Sequence, residues 1–85
     1  MNHEVTVYSK PDCPLCDKAI ELLEQHQRRV GFELVVVDIT QDDELFNRYC
    51  FDIPVVLVDG EPKLQGIIDK QSLKRMFGNI RKRRK

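Results

Sequence analysis

The chain has no tryptophan, only two histidines, and an odd number of cysteines, three, among its 85 residues. An odd, small cysteine count argues against a scaffold stapled by disulfides. No apolar stretch approaches the roughly 20 residues that a bilayer-spanning helix needs. No basic segment followed by an apolar run opens the sequence, so no secretory leader is visible and a reducing, cytoplasmic setting is expected. Repeats and internal linkers are missing too, and the length suits one domain with one core. With 41% hydrophobic and 33% charged residues, the balance is that of a soluble globular chain and excludes a disordered or membrane-embedded one.

Net charge is also absent, but only in total. Residues 1–69 hold all 14 acids and six bases, a balance of −8, whereas residues 70–85 hold eight bases and no acid. The closing Arg81-Lys82-Arg83-Arg84-Lys85 reads as a solvated tail over residues 79–85, following a domain of residues 1–78. Its other use is as a contact for nucleic acid, an anionic membrane surface or an acidic partner. No aromatic residues interleave with the bases, so neither nucleic acid nor membrane is an expected partner.

What is present is an alternation of strand and helix patterns. Glu4-Val5-Thr6-Val7-Tyr8 is β-branched and alternating, which reads as a strand. Lys10-Pro11-Asp12 breaks it, and from Cys13 the period becomes helical. Cys16, Ala19, Ile20, Leu23 and Val30 share one face, while Asp17, Lys18, Glu21 and Glu24 lie elsewhere. Pro14 suits a first turn, where its missing N–H costs nothing. Arg28 and Arg29 suit the negative C-terminal end, and Gly31 supplies a left-handed stop.

Phe32 to Asp38 is a second strand, in which Val35 to Val37 predict burial on both faces. Strand, helix and strand together make a βαβ unit with a parallel pair. Thr40 to Asp43 is an acidic cap for a short helix through Leu45, Phe46 and Tyr49. Pro54 to Val58 is a third strand, Asp59-Gly60 a two-residue hairpin signal, and Glu61 to Gln65 its antiparallel return. Asp69 caps a last helix with Leu73, Met76 and Phe77 on one face. The order is β-α-β-α-β-β-α: an α/β domain with a four-stranded mixed sheet flanked by helices.

The informative motif is YSKPDCPLCDKAI, residues 8–20, where two cysteines three apart open the first helix. A disulfide staple, half of a metal site and a reacting thiol pair are the three readings. Two α-carbons at that spacing are roughly 5 Å apart, within reach of a disulfide. So short a loop removes little chain entropy, which makes a poor staple. Structural zinc commonly takes four ligands in two short-spaced pairs. Here one CxxC is followed only by Cys50, with His3 and His26 standing alone, so no metal is expected. His26 reads as a core-edge residue and Cys50 as a small, partly buried one.

The remaining reading gives the two sulfurs different roles. Cys16 lies on the apolar stripe, whereas Cys13 stands at the helix mouth, where unpaired N–H groups and the positive dipole end favour a thiolate. Lys10 reinforces that effect, and Asp12 and Asp17 oppose it. On this reading Cys13 attacks and Cys16 resolves. Pro54, opening an apolar strand, is an ordinary boundary residue if trans. If cis, it exposes the backbone of Ile53.

These segments resemble the glutaredoxins and, more broadly, the thioredoxin fold. VYSKPDCPLC is similar to the glutaredoxin opening of strand, lysine and CPxC; IPVVLVDG to the strand and hairpin after the cis-proline; GIID to the GGxD segment before the last helix. The resemblance runs from Val5 to about Phe77. It implies that Cys13 is the nucleophile, Cys16 the resolving thiol and Pro54 a cis-proline beside them. It implies too that the Ile53 backbone pairs with a bound peptide or glutathione, and that Lys10 and Asp69 contact the carboxylate and amino ends of glutathione. Pro14 and Leu15, within the motif, join this substrate surface.

Leu15 stands where CPYC has tyrosine, Asp52-Ile53-Pro54 replaces TVP, and Ile67 replaces the second glycine of GGxD, where a branched side chain crowds an approaching glutathione. CPLCD, RYCFDIP and GIIDKQSL resemble glutaredoxin-like small proteins without an assigned substrate. The redoxin that serves ribonucleotide reductase shares VDIT, but its tryptophan-containing segment is missing here.

The expectation is therefore a monomeric thiol-disulfide oxidoreductase of glutaredoxin-like fold. It would reduce protein or glutathione mixed disulfides, with no tightly bound cofactor and with glutathione as a candidate reductant. The alternative is a binding module of the same fold, with little turnover, that recruits an acidic partner or polyanion through the basic tail.

Overall fold

Alternation along the first strand decides how the molecule is layered. In β1 (Glu4–Ser9) Val5 and Val7 have no exposed surface, while Thr6 and Tyr8 between them are half-buried on the opposite face. The computed structural model describes residues 3–82, with side chains as far as residue 78. After β1 come α1 (Pro14–Val30), β2 (Glu33–Asp38), a 3₁₀ turn (Ile39–Gln41), α2 (Asp43–Tyr49), β3 (Val55–Val58), β4 (Glu61–Gln65) and α3 (Lys70–Lys82). This is the β-α-β-α-β-β-α order that the patterns imply.

The four strands form one mixed sheet in the order β2-β1-β3-β4. β1 runs parallel to β2, with Val5 opposite Leu34 and Val7 opposite Val36, and antiparallel to β3, with Val5 opposite Val58 and Tyr8 opposite Val55. The β3–β4 hairpin turns at Asp59 and Gly60, both left-handed at φ 52° and 85°. Two successive positive φ values match the right-handed twist of the flanking strands. A bulge between Val56 and Leu57 interrupts the β3–β4 register, and Pro62 sits on the sheet's outer strand, where its missing N–H leaves no ladder bond unmade.

One face of the sheet carries the core. Val5, Val7, Val56 and Val58 meet Ala19, Leu22 and Leu23 of α1 and Leu73, Met76 and Phe77 of α3, with Phe32 and Ile68 closing the ends. The Phe77 ring stacks between Phe32 at 5.0 Å and His26 at 5.4 Å, so His26 is a core-edge residue. On the other face Tyr49 of α2 rests on Tyr8, ring centroids 5.0 Å apart. No residue of α2 is fully buried.

The valine run of β2 departs from its expected double-sided burial. Val35 and Val36 are 38% and 48% exposed, because β2 lies at the rim of the sheet and not at its centre. A solid apolar run is equally compatible with either place, and β1 and β3 take the interior positions.

α1 ends as its sequence implies: Gly31 adopts φ 77°, and its N–H donates to the Gln27 carbonyl at 3.0 Å. α3 is capped by Asp69, whose carboxylate accepts the Ser72 N–H at 2.8 Å. Its backbone continues through the first residues assigned to the tail. The side chains of residues 79–82 and the whole of residues 83–85, where the basic run falls, lie outside the described residues.

Two substitutions separate packing from backbone conformation. Leu73→Ala, at a position with no exposed surface, is expected to lower unfolding free energy by about 2–5 kcal/mol. Gly31→Ala, where an added Cβ meets nothing within 4 Å, is expected to cost only about 1–2 kcal/mol, through the left-handed backbone. Urea unfolding of the two variants beside wild type measures both.

Candidate active site

The parallel pair β1–β2 ends at the same edge of the sheet where β3 begins, because β3 runs antiparallel to β1. Continuing the Tyr8–Val55 register by one step sets Ser9 against Pro54. The loop leaving β1 therefore emerges beside the start of β3, and β4, antiparallel to β3, returns to the same edge. Topology thus gathers residues 10–16, 51–54 and 66–69 at one end of the molecule, although they lie far apart along the chain.

Within the first of these loops Asp12 takes a left-handed backbone, φ 59°, a conformation that aspartate tolerates better than most residues. The chain then enters α1 with Cys13 as the extended N-cap residue and Pro14 as the first helical one. The Cys13 sulfur accepts the Cys16 backbone N–H at 3.2 Å, and its carbonyl accepts the Asp17 N–H at 3.0 Å. Sulfur here does what the oxygen of a capping serine or aspartate does. Cys13 and Cys16 are joined as a disulfide, with α-carbons 5.2 Å apart.

The contrast between the two cysteines is narrower than their pattern implies. Cys16 has no exposed surface, as expected of the apolar stripe, but Cys13 is only 8% exposed. Capping draws its side chain inward over the first turn instead of leaving it in the open helix mouth. Cys13 remains the more exposed residue of the two.

The other expected site residues fall at this end with different degrees of exposure. Lys10, Pro14 and Asp69 are exposed, Leu15 is 47% exposed, Ile53 is half-buried and Pro54 buried. The Ile53–Pro54 peptide bond is cis. Ile53 donates its N–H to the Tyr49 carbonyl at 3.2 Å, and Gly66 donates to both the Asp52 and Pro54 carbonyls at 3.2 and 3.0 Å. Gly66, at φ 78°, ties the end of β4 to the segment before β3, a contact with no local sequence signal. Phe51 and Ile67 flank this tie and are 97% and 79% exposed; strand and helix periodicity carries no information on such loop residues.

Elsewhere the chemistry-bearing residues are used structurally. His3 donates to the Asp59 carboxylate at 2.6 Å, and the His26 Nδ1 lies 3.2 Å from the Leu22 carbonyl. Cys50 is a free, half-buried thiol at the end of α2. Among the described residues no group of three His, Cys, Asp or Glu side chains is placed to hold a metal ion, and no helix is long and apolar enough to cross a membrane. A cavity of about 610 Å³ opens between α1 and α3, lined by His26, Arg29, Lys70, Lys74 and Phe77 among others. None of the cysteines lines it.

A mixed four-stranded sheet with three helices, opened by a CPxC pair at the start of the first helix, is the thioredoxin fold. The chain belongs to the glutaredoxin-like domain family (DUF836), whose family model matches residues 4–78. It is similar to the X-ray structure of protein XcR50 from X. campestris, with 28% identity over 88% of this chain and 96% of that one and a TM-score of 0.76. Protein Ne2328 from Nitrosomonas europaea matches at 23% identity over 89% and 92% of the two chains, TM-score 0.76. Desulfothioredoxin from Desulfovibrio vulgaris Hildenborough shares the fold at 20% identity, over 93% and 82%, with a TM-score of 0.71.

Three carboxylates, Asp38 half-buried and the other two exposed, are held below the ordinary aspartate range by hydrogen bonds. Asp38 is lowered by the Thr40 hydroxyl and N–H, Asp59 by the Glu4 N–H and the His3 ring, and Asp69 by the Ser72 N–H and hydroxyl. A carboxyl group lowered by folding stabilises the native state above its unfolded value, about 3.9, and loses that contribution as pH falls through the lower native value. The melting temperature is therefore expected to drop as pH falls below about 5. Asp69→Asn, whose amide oxygen still accepts the Ser72 N–H but does not titrate, is expected to flatten that dependence; thermal melts across acidic pH measure it.

Proposed function

We propose that this protein is a thiol-disulfide oxidoreductase whose Cys13–Cys16 pair cycles between dithiol and disulfide. The observation that carries the reading is the Cys16 N–H directed at the Cys13 sulfur at 3.2 Å, in the first turn of a 17-residue helix. That N–H and the helix dipole stabilise negative charge on sulfur, both when Cys13 is the attacking thiolate and when it is expelled from the Cys13–Cys16 bond. The 5.2 Å α-carbon separation lies within the range that a disulfide bridges, so bond closure needs no large backbone movement.

The reaction has two exchanges. The Cys13 thiolate attacks one sulfur of a substrate disulfide, forming a mixed disulfide and releasing the first substrate thiolate. Cys16, deprotonated, then attacks the Cys13 sulfur, which closes the Cys13–Cys16 disulfide and releases the second. Two electrons pass to the substrate. Two glutathione thiols, or one dithiol reductant, return the pair to the reduced state. The substrate is a protein disulfide or a glutathione mixed disulfide. Lys10, Pro14, Leu15, Ile53, Pro54 and Asp69 frame it; because the Ile53 N–H is held by the Tyr49 carbonyl, it is the Ile53 carbonyl that is offered to the substrate. The protein works as a monomer in a reducing, cytoplasmic compartment.

Insulin reduction and turnover of a glutathione mixed disulfide test the reading. Cys13→Ser is expected to abolish both, whereas Cys16→Ser is expected to stop after the first exchange and accumulate a mixed disulfide at Cys13. Limiting iodoacetamide should label Cys13 first in the reduced wild type. Preferential labelling of Cys16, or turnover surviving Cys13→Ser, would overturn the assignment.

A further inference from the structure

Large apolar side chains are exposed around the sulfurs in a pattern that the fold does not need. Phe51 is 97% exposed, Ile67 79% and Leu15 47%. Single exposed apolar residues are normal on a protein surface, but a cluster of them marks an interaction site. These three cluster. Leu15 lies between the two cysteines. Phe51 and Ile67 each adjoin one partner of the 3.2 Å hydrogen bond from Gly66 to Asp52, on the segment leading into Pro54. The strand register brings all three to the end of the sheet that carries the disulfide.

Charge narrows the occupant. The loops that meet at this end, residues 10–16, 51–54 and 66–69, carry three carboxylates (Asp12, Asp52 and Asp69) and one ammonium, Lys10; Asp17 and Lys18 follow in α1, and Arg75 of α3 acts on Asp69. Of the three, Asp69 is already engaged by the Ser72 N–H at 2.8 Å. Glutathione is itself an anion, with two carboxylates and one ammonium, and the loops offer its carboxylates only Lys10. Arg29, Lys70 and Lys74 line the cavity between α1 and α3, which none of the cysteines lines. A neutral or basic polypeptide bearing a large apolar side chain next to its cysteine satisfies both features, burying Phe51 and Ile67 and meeting carboxylates with cations.

We infer that the substrate of this site is a polypeptide disulfide flanked by large apolar and basic residues, and that Phe51 and Ile67 select it over glutathione. The inference rests on the oxidoreductase reading and adds the substrate class to it. The chemistry is unchanged: the Cys13 thiolate attacks the peptide disulfide, Cys16 displaces the peptide from the mixed disulfide, and the peptide leaves as a dithiol with the two electrons. A dithiol reductant closes the cycle.

The test measures kcat/KM with three oxidised probes: a peptide disulfide flanked by Phe and Lys, the same peptide with Ser and Glu in those places, and oxidised glutathione. Wild type is expected to favour the Phe/Lys peptide over both others by about ten- to hundredfold, the range that burying one large apolar side chain supplies. The Phe51→Ser, Ile67→Ser double variant is expected to lose most of that preference while its reduction potential, read by equilibration with a dithiol buffer, stays that of wild type. Both positions are exposed, so the variant keeps its core. Equal rates on the two peptides, faster reduction of oxidised glutathione, or an undiminished preference in the variant would overturn this inference and leave the oxidoreductase reading standing. Inertness of wild type toward all three probes would overturn both.

Discussion

One backbone N–H, that of Cys16, points at the sulfur of Cys13 from 3.2 Å, and much of the molecule serves to keep it there. The first N–H groups of any helix lack intrahelical partners, and a polar side chain usually fills that place. Here the filling atom is also half of the reactive bond. Holding it requires that α1 neither slide nor rotate against the sheet. Cys16, Ala19 and Leu23 have no exposed surface, and Ala19 and Leu23 pack in one cluster with Val5, Val7 and Val56. The register of β1 with β3 then decides that the Pro54 segment arrives at the same edge. Packing in the core and chemistry at the rim are thus two ends of one helix.

Carboxylates do a second kind of work around this frame. Asp38 accepts from Thr40, Asp42 from Glu44 and Leu45, Asp59 from Glu4, and Asp69 from Ser72. Each satisfies backbone N–H groups at a turn or helix start. In so small a domain, local caps of this type help set where elements begin and end. Asp69 belongs to the loops at the sulfur-bearing end and Asp59 to the hairpin at the other, while Arg29, Lys70 and Lys74 line the cavity between α1 and α3.

Much of this was legible in the residues, for reasons specific to each place. Asp59-Gly60 announced its turn because two successive positive φ values admit few residues. Pro14, Gly31 and Asp69 marked helix ends by the backbone groups that they lack, free or bond. The CPLC spacing restricted the chemistry to a pair of neighbouring sulfurs. Val35 and Val36 misled, since a valine run has the same appearance at the rim of a sheet as at its centre, and 48% exposure of Val36 follows only from where β2 was placed. Cys13 misled in degree: its place at the helix mouth was legible, but its burial to 8% exposure depends on how its side chain folds back over the first turn.

What the sequence by itself determined is therefore local: the order of elements, their caps and turns, and the presence of two sulfurs at a helix start. Such features depend on a residue's own conformational freedom and on neighbours within a few positions. Only the tertiary structure decided which strands lie inside the sheet, that Gly66 joins the segment before Pro54, and that Phe51 and Ile67 stand uncovered near the disulfide. Those facts come from contacts between residues distant along the chain, where the gain from burying one apolar face sets the arrangement of all the others.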